Sequence, residues 1–414
     1  MEQSKGAELC NTDSPLFHYS LLGFPFSVFA GIRSPTLRIL LVSPYHGGSH
    51  ASWAYGLERH SQHTIELLTL PDRFWKWRMH GGAATLAQRF LRDHQRPDVI
   101  LATDMLDLTT FLALTRKITA DVPTVLYMHE NQLTYPLPNE GDAGPMRRQG
   151  GERDHHYAFV NFSSMLAANQ VAFNSVFHRE TWFEALPKFL RHFPEYNLMD
   201  SVEELHRKSC VLPVGIETND FQPVRSKLAR PGPPLIIWNQ RWEYDKNPAQ
   251  LFDALRDVAD RGINYQLAIC GRGFGKTPSE FEDVEETFGN QLIHLGFANY
   301  EQYRCLLKQA TLTVSTADHE FFGVGVLEAM AAGAFAILPH RLSYPELIAG
   351  PEVSAEARER CLYSSYEQMV ETIVWALENR QAAILLGKEL ACNAQRFDWG
   401  EVAPASDALF ESIL

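Results

Sequence analysis

Largely apolar runs of four to six residues recur along the chain with helix-length stretches between them, and this alternation limits the fold more than any other feature. In the first half they are Arg38–Ser43, Val99–Thr103, Thr124–Met128 and Gln170–Asn174, the last after a helical stretch beginning near Asp154. A second series runs through Leu235–Trp238, Tyr265–Cys270 and Leu312–Ser315. Buried strands alternating with helices predict parallel sheets joined by right-handed crossovers. Between the two series lies a proline-rich stretch with Pro223, Pro231, Pro233 and Pro234, which reads as a linker. The chain is therefore expected to be α/β, with Rossmann-like domains at 37–215 and 235–414 joined by 216–234 and facing across a cleft. The last helix is free in this reading to pack back on the first domain. Residues 1–36, with an apolar patch at Ser20–Gly31 broken by Pro25, read as a disordered or mis-assigned N-terminal extension.

Composition narrows the function classes. The 414 residues are 45% hydrophobic and 21% charged, the profile of a soluble globular protein, and no apolar run reaches transmembrane length, so no membrane insertion is expected. Six cysteines (10, 210, 270, 305, 361 and 392) are scattered without a C-x-x-C. That favours reduced thiols and a cytoplasmic location over a disulfide frame or zinc site. Charge divides unevenly: residues 38–215 carry net −1, residues 216–414 net −11, and twelve of the sixteen histidines lie in 38–215. Phosphate contacts need clustered cations, so an RNA partner is expected at the N-terminal half. Oligomeric state leaves no trace in the sequence.

The second half carries an anion-binding chemistry. After strand Leu235–Trp238 comes Asn239-Gln-Arg241-Trp-Glu-Tyr-Asp-Lys246, whose Arg241 and Lys246 can neutralise a diphosphate leaving group. Gly271 follows the next strand. After Leu312–Ser315, Glu320-Phe-Phe322-Gly323-Val324-Gly-Val-Leu-Glu328 places two glycines at a helix start, where free N–H groups point at an anion. Glu328 falls about two turns into that helix, where a carboxylate can accept two ribose hydroxyls. Each part alone has a plainer reading, as surface charge, turn glycine or solvated helix carboxylate. Their order resembles the nucleotide-sugar half of the retaining glycosyltransferases of family four, which have the GT-B fold. In that fold Phe297, within Gly296-Phe-Ala298, would meet the nucleotide base. Asp104-Met-Leu-Asp107 reads as a helix start rather than a metal-binding D-x-D, and neither metal nor cofactor is expected.

The first half adds a narrower signal. Gly47-Gly48-Ser49-His50 follows the first strand, where glycine lets a backbone pass close to a ligand. Leu70-Pro-Asp-Arg73-Phe74-Trp75-Lys76-Trp77-Arg78 interleaves aromatics with cations, which suits base stacking between phosphates as well as it suits a half-buried strand edge. His129-Glu130-Asn131-Gln132-Leu-Thr-Tyr135-Pro136 sets four polar side chains after a buried strand, costly without a site to serve. These segments, with Phe173-Asn-Ser-Val-Phe177, resemble the tRNA-queuosine mannosyltransferases over about residues 38–400.

The resemblance implies retaining transfer of mannose from GDP-mannose to queuosine at the wobble position of a tRNA. It implies a catalytic set of His129, Arg241, Lys246 and Glu320, with His129 near the reacting carbon. Donor contacts would come from Gly47, Gly48, Gly271, Phe297, Phe322, Gly323, Val324 and Glu328. Acceptor contacts would come from His50, Trp75, Trp77, Arg78, Glu130, Asn131, Asp154, Tyr157 and Asn161. Two alternatives stand beside it: a family-four enzyme acting on a lipid, glycan or small metabolite, and a catalytically silent nucleotide-sugar or RNA-binding module.

Overall fold

A computed structural model of the chain describes residues 35–136, 155–222, 232–273 and 278–414. The anticipated N-terminal extension thus lies outside the described residues up to position 34, as do 223–231 of the linker. Six parallel strands form the first sheet: β1 (Arg38–His46), β2 (Thr64–Pro71), β3 (Val99–Thr103), β4 (Thr124–Met128), β5 (Gln170–Phe173) and β6 (Ser209–Val211), in the order β2-β1-β3-β4-β5-β6. Six more form the second: β7 (Leu235–Trp238), β8 (Gln266–Cys270), β9 (Leu292–Gly296), β10 (Leu312–Val314), β11 (Phe335–Pro339) and β12 (Leu362–Tyr363), in the order β12-β11-β10-β7-β8-β9. The central strands β3, β4, β7 and β11 are buried along their whole length. In register, Leu41 faces Leu67 on one side and Leu101 on the other.

The order of each sheet reverses beside its first strand, between β1 and β3 and between β7 and β10. Such reversals leave a crevice at the carboxyl ends of the strands, because the flanking connections run to opposite faces. Helices α1 (Gly48–His60), α2 (Trp75–Asp93), α3 (Leu108–Thr119), α4 (His155–Ala167) and α5 (Val176–Leu190) belong to the first sheet. Asp107 caps α3 by accepting the Thr110 amide (2.9 Å), so Asp104-Met-Leu-Asp107 is a helix start.

Residues Thr36–Leu414 form one unit, because the end of the chain crosses back. The helix Trp399–Glu411 starts at Asp398, which bridges to Ile216, and lies on α1. The Trp399 indole is 2% exposed and seated over Gly56 and Gly215, where an added Cβ would come within 2.2 and 2.5 Å of the ring. Asp407 accepts the Gln62 amide (2.9 Å) and the Ser61 hydroxyl (2.5 Å) from the turn after α1.

Candidate active site

The carboxyl ends of both sheets open on one cleft of about 510 Å³. On the second-sheet wall, the chain leaves β7 through Asn239-Gln240-Arg241 into the 3-10 turn Tyr244–Lys246. The Lys246 side chain is only 5% exposed; its Nζ lies 3.0 Å from Asp245 Oδ2 and 3.2 Å from Glu320 Oε2, and donates to the His319 carbonyl at 2.7 Å. Thr316 donates to the carbonyls of Lys246 and Asn247, and the Asp318 and His319 amides donate to the Asp245 carbonyl, so the loop after β10 is pinned to the turn after β7. Burial opposes the charge of Glu320, but Lys246 and Arg241 outweigh it and hold the carboxyl below its usual pKa; the same balance lowers Asp245. Arg241, 47% exposed, lies 4.0 Å from Asp245 and donates to the Tyr135 hydroxyl (3.2 Å).

Gly323 turns the loop into the helix Val324–Ala331 at φ +97°, which a side chain would resist, and leaves the first N–H groups of that helix beside the cleft. Glu328 accepts the Tyr303 hydroxyl at 2.5 Å, and Asn239 donates to both that hydroxyl (2.8 Å) and the Gly325 carbonyl (2.7 Å). Burial pushes the Glu328 carboxyl up to about 7, against the Tyr303 hydrogen bond. Further along, Arg272 stands 5.2 Å over the ring of the exposed Phe297.

The facing wall carries two stacked histidines. Gly48, at φ +52°, opens α1 and brings His50 into a stack on His129, with ring centroids 4.3 Å apart. Burial lowers both pKa values, that of His50 to about 4 with Arg241 contributing, so both rings are uncharged at pH 7. The His129 amide donates to the buried Asp104 (3.0 Å). Glu130 lines the cleft and accepts from Gln132 (2.9 Å), with its pKa raised by burial.

Thirteen of the anticipated residues therefore share the cleft: Gly47, Gly48, His50, His129, Glu130, Arg241, Lys246, Gly271, Phe297, Glu320, Gly323, Val324 and Glu328. Others lie elsewhere. Phe322 turns its ring into the core against Phe397. Asn131 is fully buried and closes a turn by accepting the Leu133 and Thr134 amides. Asn161, equally buried, ties the same loop to the Asp104 carbonyl (2.8 Å) and the Gln132 amide (2.9 Å). Asp154 lies outside the described residues. Trp75, Trp77 and Arg78 open α2 rather than forming a strand edge, and they lie outside the cleft lining. Trp75 is half-buried against Tyr157 (5.2 Å), while Trp77 is 64% exposed, and residues two apart on a helix do not share a face. Arg78 donates to the Pro71 carbonyl at 3.1 Å. Sequence reasoning missed Asp245, Tyr303, His319, Asn239 and Arg272; all but Tyr303 lie within two residues of an anticipated one.

The burial of Lys246 changes what its removal should do. Lys246→Ala leaves Asp245 and Glu320 without their main cation, so stability should fall by about 3–5 kcal/mol, as when one member of a buried ion pair is deleted. Arg241→Ala, at a half-exposed group, should cost about 0.5 kcal/mol or less. Urea unfolding of both variants reads the difference, and equal midpoints would rule out a structural role for the ammonium.

The comparisons with known proteins agree with this geometry. Residues 38–216 match a family model described as tRNA-queuosine alpha-mannosyltransferase N-terminal, and residues 220–391 match the model for glycosyl transferases group 1. A tRNA-queuosine alpha-mannosyltransferase of Drosophila melanogaster is 34% identical over 319 residues, covering 75% of this chain and 81% of its own length. A GDP-mannose-dependent alpha-(1-6)-phosphatidylinositol dimannoside mannosyltransferase of Mycobacterium tuberculosis is 26% identical over 147 residues, 34% of this chain and 38% of that one. Among solved structures, sucrose-phosphate synthase from Thermosynechococcus elongatus matches with a TM-score of 0.65 at 15% identity, over 91% of this chain and 98% of its own. HepE of Anabaena in complex with UDP matches at 0.62 and 15%, over 91% and 100%. These structural likenesses give the fold, GT-B, and no more. With a likeness that runs through both sheets and their shared cleft, the chain belongs to the tRNA-queuosine alpha-mannosyltransferase family.

Proposed function

We propose that this chain moves mannose from GDP-mannose to queuosine at the wobble position of a tRNA, keeping the anomeric configuration. Family membership supports the sugar and the acceptor, and the GDP-mannose dependence in the name of the mycobacterial relative supports the donor. The observation that carries the reading is the pairing of walls: a neutral histidine stack faces a glycine turn backed by a buried ammonium.

In this reading the diphosphate rests on the N–H groups that open the helix Val324–Ala331, with Arg241 beside it. Lys246 already serves two carboxylates and a carbonyl, so Arg241 is the freer cation. The anomeric carbon breaks its bond to the β-phosphate oxygen and forms one to an acceptor hydroxyl. The departing phosphate takes that hydroxyl's proton on the same face, so the protein's part is to stabilise charge and hold geometry. His129 and Glu320 flank the sugar, and Glu328 exchanges Tyr303 for ribose hydroxyls. No cofactor is required, and the scattered cysteines suit the cytoplasm. Incubation with GDP-mannose and tRNA, followed by nucleoside mass analysis, tests the whole reading. Mannosyl-queuosine should form from queuosine-containing tRNA and not from unmodified tRNA; mannose on neither would overturn it.

The raised Glu328 pKa fixes a pH dependence. Below about 7 the group is a neutral acid and loses its value as a double acceptor; above, it is a carboxylate. The diphosphate of GDP-mannose does not titrate in this range, so donor affinity should rise between about pH 6 and pH 8. Glu328→Gln should flatten that rise and cost about 1.5–3 kcal/mol of binding at the upper end. Calorimetry that finds the same slope in both proteins would remove Glu328 from the donor site.

At the acceptor end, Trp77 offers an exposed ring and Trp75 does not. Trp77→Ala should weaken tRNA binding by about 1–3 kcal/mol with melting temperature and GDP affinity unchanged. Trp75→Ala should lower the melting temperature as well, since its ring packs on the cluster of Met79, Met105, Tyr157 and Val160. Normal tRNA binding by a folded Trp77→Ala protein would place the anticodon elsewhere.

A further inference from the structure

A buried line of contacts, one ring stack followed by two hydrogen bonds, runs from the second-sheet wall to His129 along the start of α5. Phe321, in the turn that follows Glu320, stacks on the His178 ring with centroids 4.0 Å apart and accepts the Ser175 hydroxyl at its carbonyl (2.6 Å). Glu346, from the same domain as Phe321, accepts the Val176 and Phe177 amides at 2.9 and 2.5 Å, which docks the N-terminus of α5. Asn174 donates its amide to the His129 carbonyl at 2.8 Å, which orients the side chain and leaves Oδ1 as the acceptor for His178 Nδ1, also at 2.8 Å. His178 is therefore the neutral tautomer protonated at Nδ1. Its Nε2 has no hydrogen-bond partner among the described residues, and the residue is fully buried. The peptide of His129 is thus held at its N–H by Asp104 and at its carbonyl by Asn174.

We propose that Asn174 and His178 are positioning residues that carry the placement of the Glu320–Gly325 turn across the domain junction to His129. The inference rests on the reading of His129 as a contact of the reacting sugar. Three features support it. The line is continuous, it joins side chains from both domains, and it places the Nδ1–H bond of a buried histidine where packing alone would be met by a phenylalanine. A shift of the turn when a diphosphate docks is felt at the Phe321 ring, and the paired hydrogen bonds beyond it have one satisfied arrangement.

Two substitutions separate stacking from hydrogen bonding. His178→Phe keeps a ring against Phe321 and removes the Nδ1–H; His178→Asn keeps an N–H near the Nδ1 position and removes the ring. With the full chain, GDP-mannose and queuosine-containing tRNA, His178→Phe should lower kcat about tenfold or more, with donor KM within about twofold, because positioning is lost and uniform binding is kept. His178→Asn should recover most of that loss. In a His129→Ala background, adding His178→Phe should change kcat by less than about twofold, since residues acting as one unit are not additive. Additive losses, or an unchanged kcat in a folded His178→Phe protein, would overturn the relay. An unchanged kcat in His129→Ala would instead sink the reading of His129. Amide exchange over 129–134 gives a second readout that needs no turnover. It should accelerate about tenfold in His178→Phe and less in His178→Asn, and equal protection in all three proteins would also overturn the proposal.

Discussion

The second wall of the cleft is organised by one buried ammonium. Lys246 lies among Asp245, Glu320 and the His319 carbonyl, and hydrogen bonds from Thr316, Asp318 and His319 join the same two loops. A buried charge without partners costs several kcal/mol, so each of the three ions requires the other two. That mutual requirement fixes the turn after β7 against the turn after β10 before any ligand arrives. The glycine turn, the start of the helix Val324–Ala331 and the height of Glu328 above it follow from that fixed distance. A site that is formed in advance spends little of its binding energy on rearrangement when charge develops.

Sequence legibility followed burial. The strands read from apolar runs (β1, β3, β4, β5, β7, β8 and β10) are mostly interior ones. Those that escaped include all four sheet edges, β2, β6, β9 and β12, which are short or only partly buried, so that the pattern loses contrast. The buried β11 escaped for another reason: its apolar run continues the apolar helix Val324–Ala331 with only Ala332-Gly333-Ala334 between them. At the site, the charges flanking glycines were visible because their spacing is local. Tyr303 was not, since it meets Glu328 from another helix, 25 residues away. The two tryptophans were seen but their surroundings were not: composition cannot show that a helix starts at Trp75 and turns Trp77 to solvent.

The two walls differ in kind. The second concentrates fixed charge, whereas the first offers two stacked imidazoles held neutral by burial, with Arg241 adding to the effect on His50. The uncharged imidazole pair suits hydroxyl groups, and the fixed charge opposite suits phosphate. The excess of negative charge in the second half of the chain also repels a polyanion from that side. In the proposed reaction, the nucleotide and the nucleic acid then reach the same cleft from different domains.

The helix Trp399–Glu411 has a consequence for how the protein is made. It covers α1, the first helix of the first sheet, and its indole occupies the space left by Gly56 and Gly215. Chains fold as they leave the ribosome, N-terminal domain first. Here the first domain is complete in sequence long before it is complete in surface, because its last covering element is synthesised after the whole second domain. The face around Gly56 is therefore left uncovered while the second domain is synthesised, at ~5–20 residues per second.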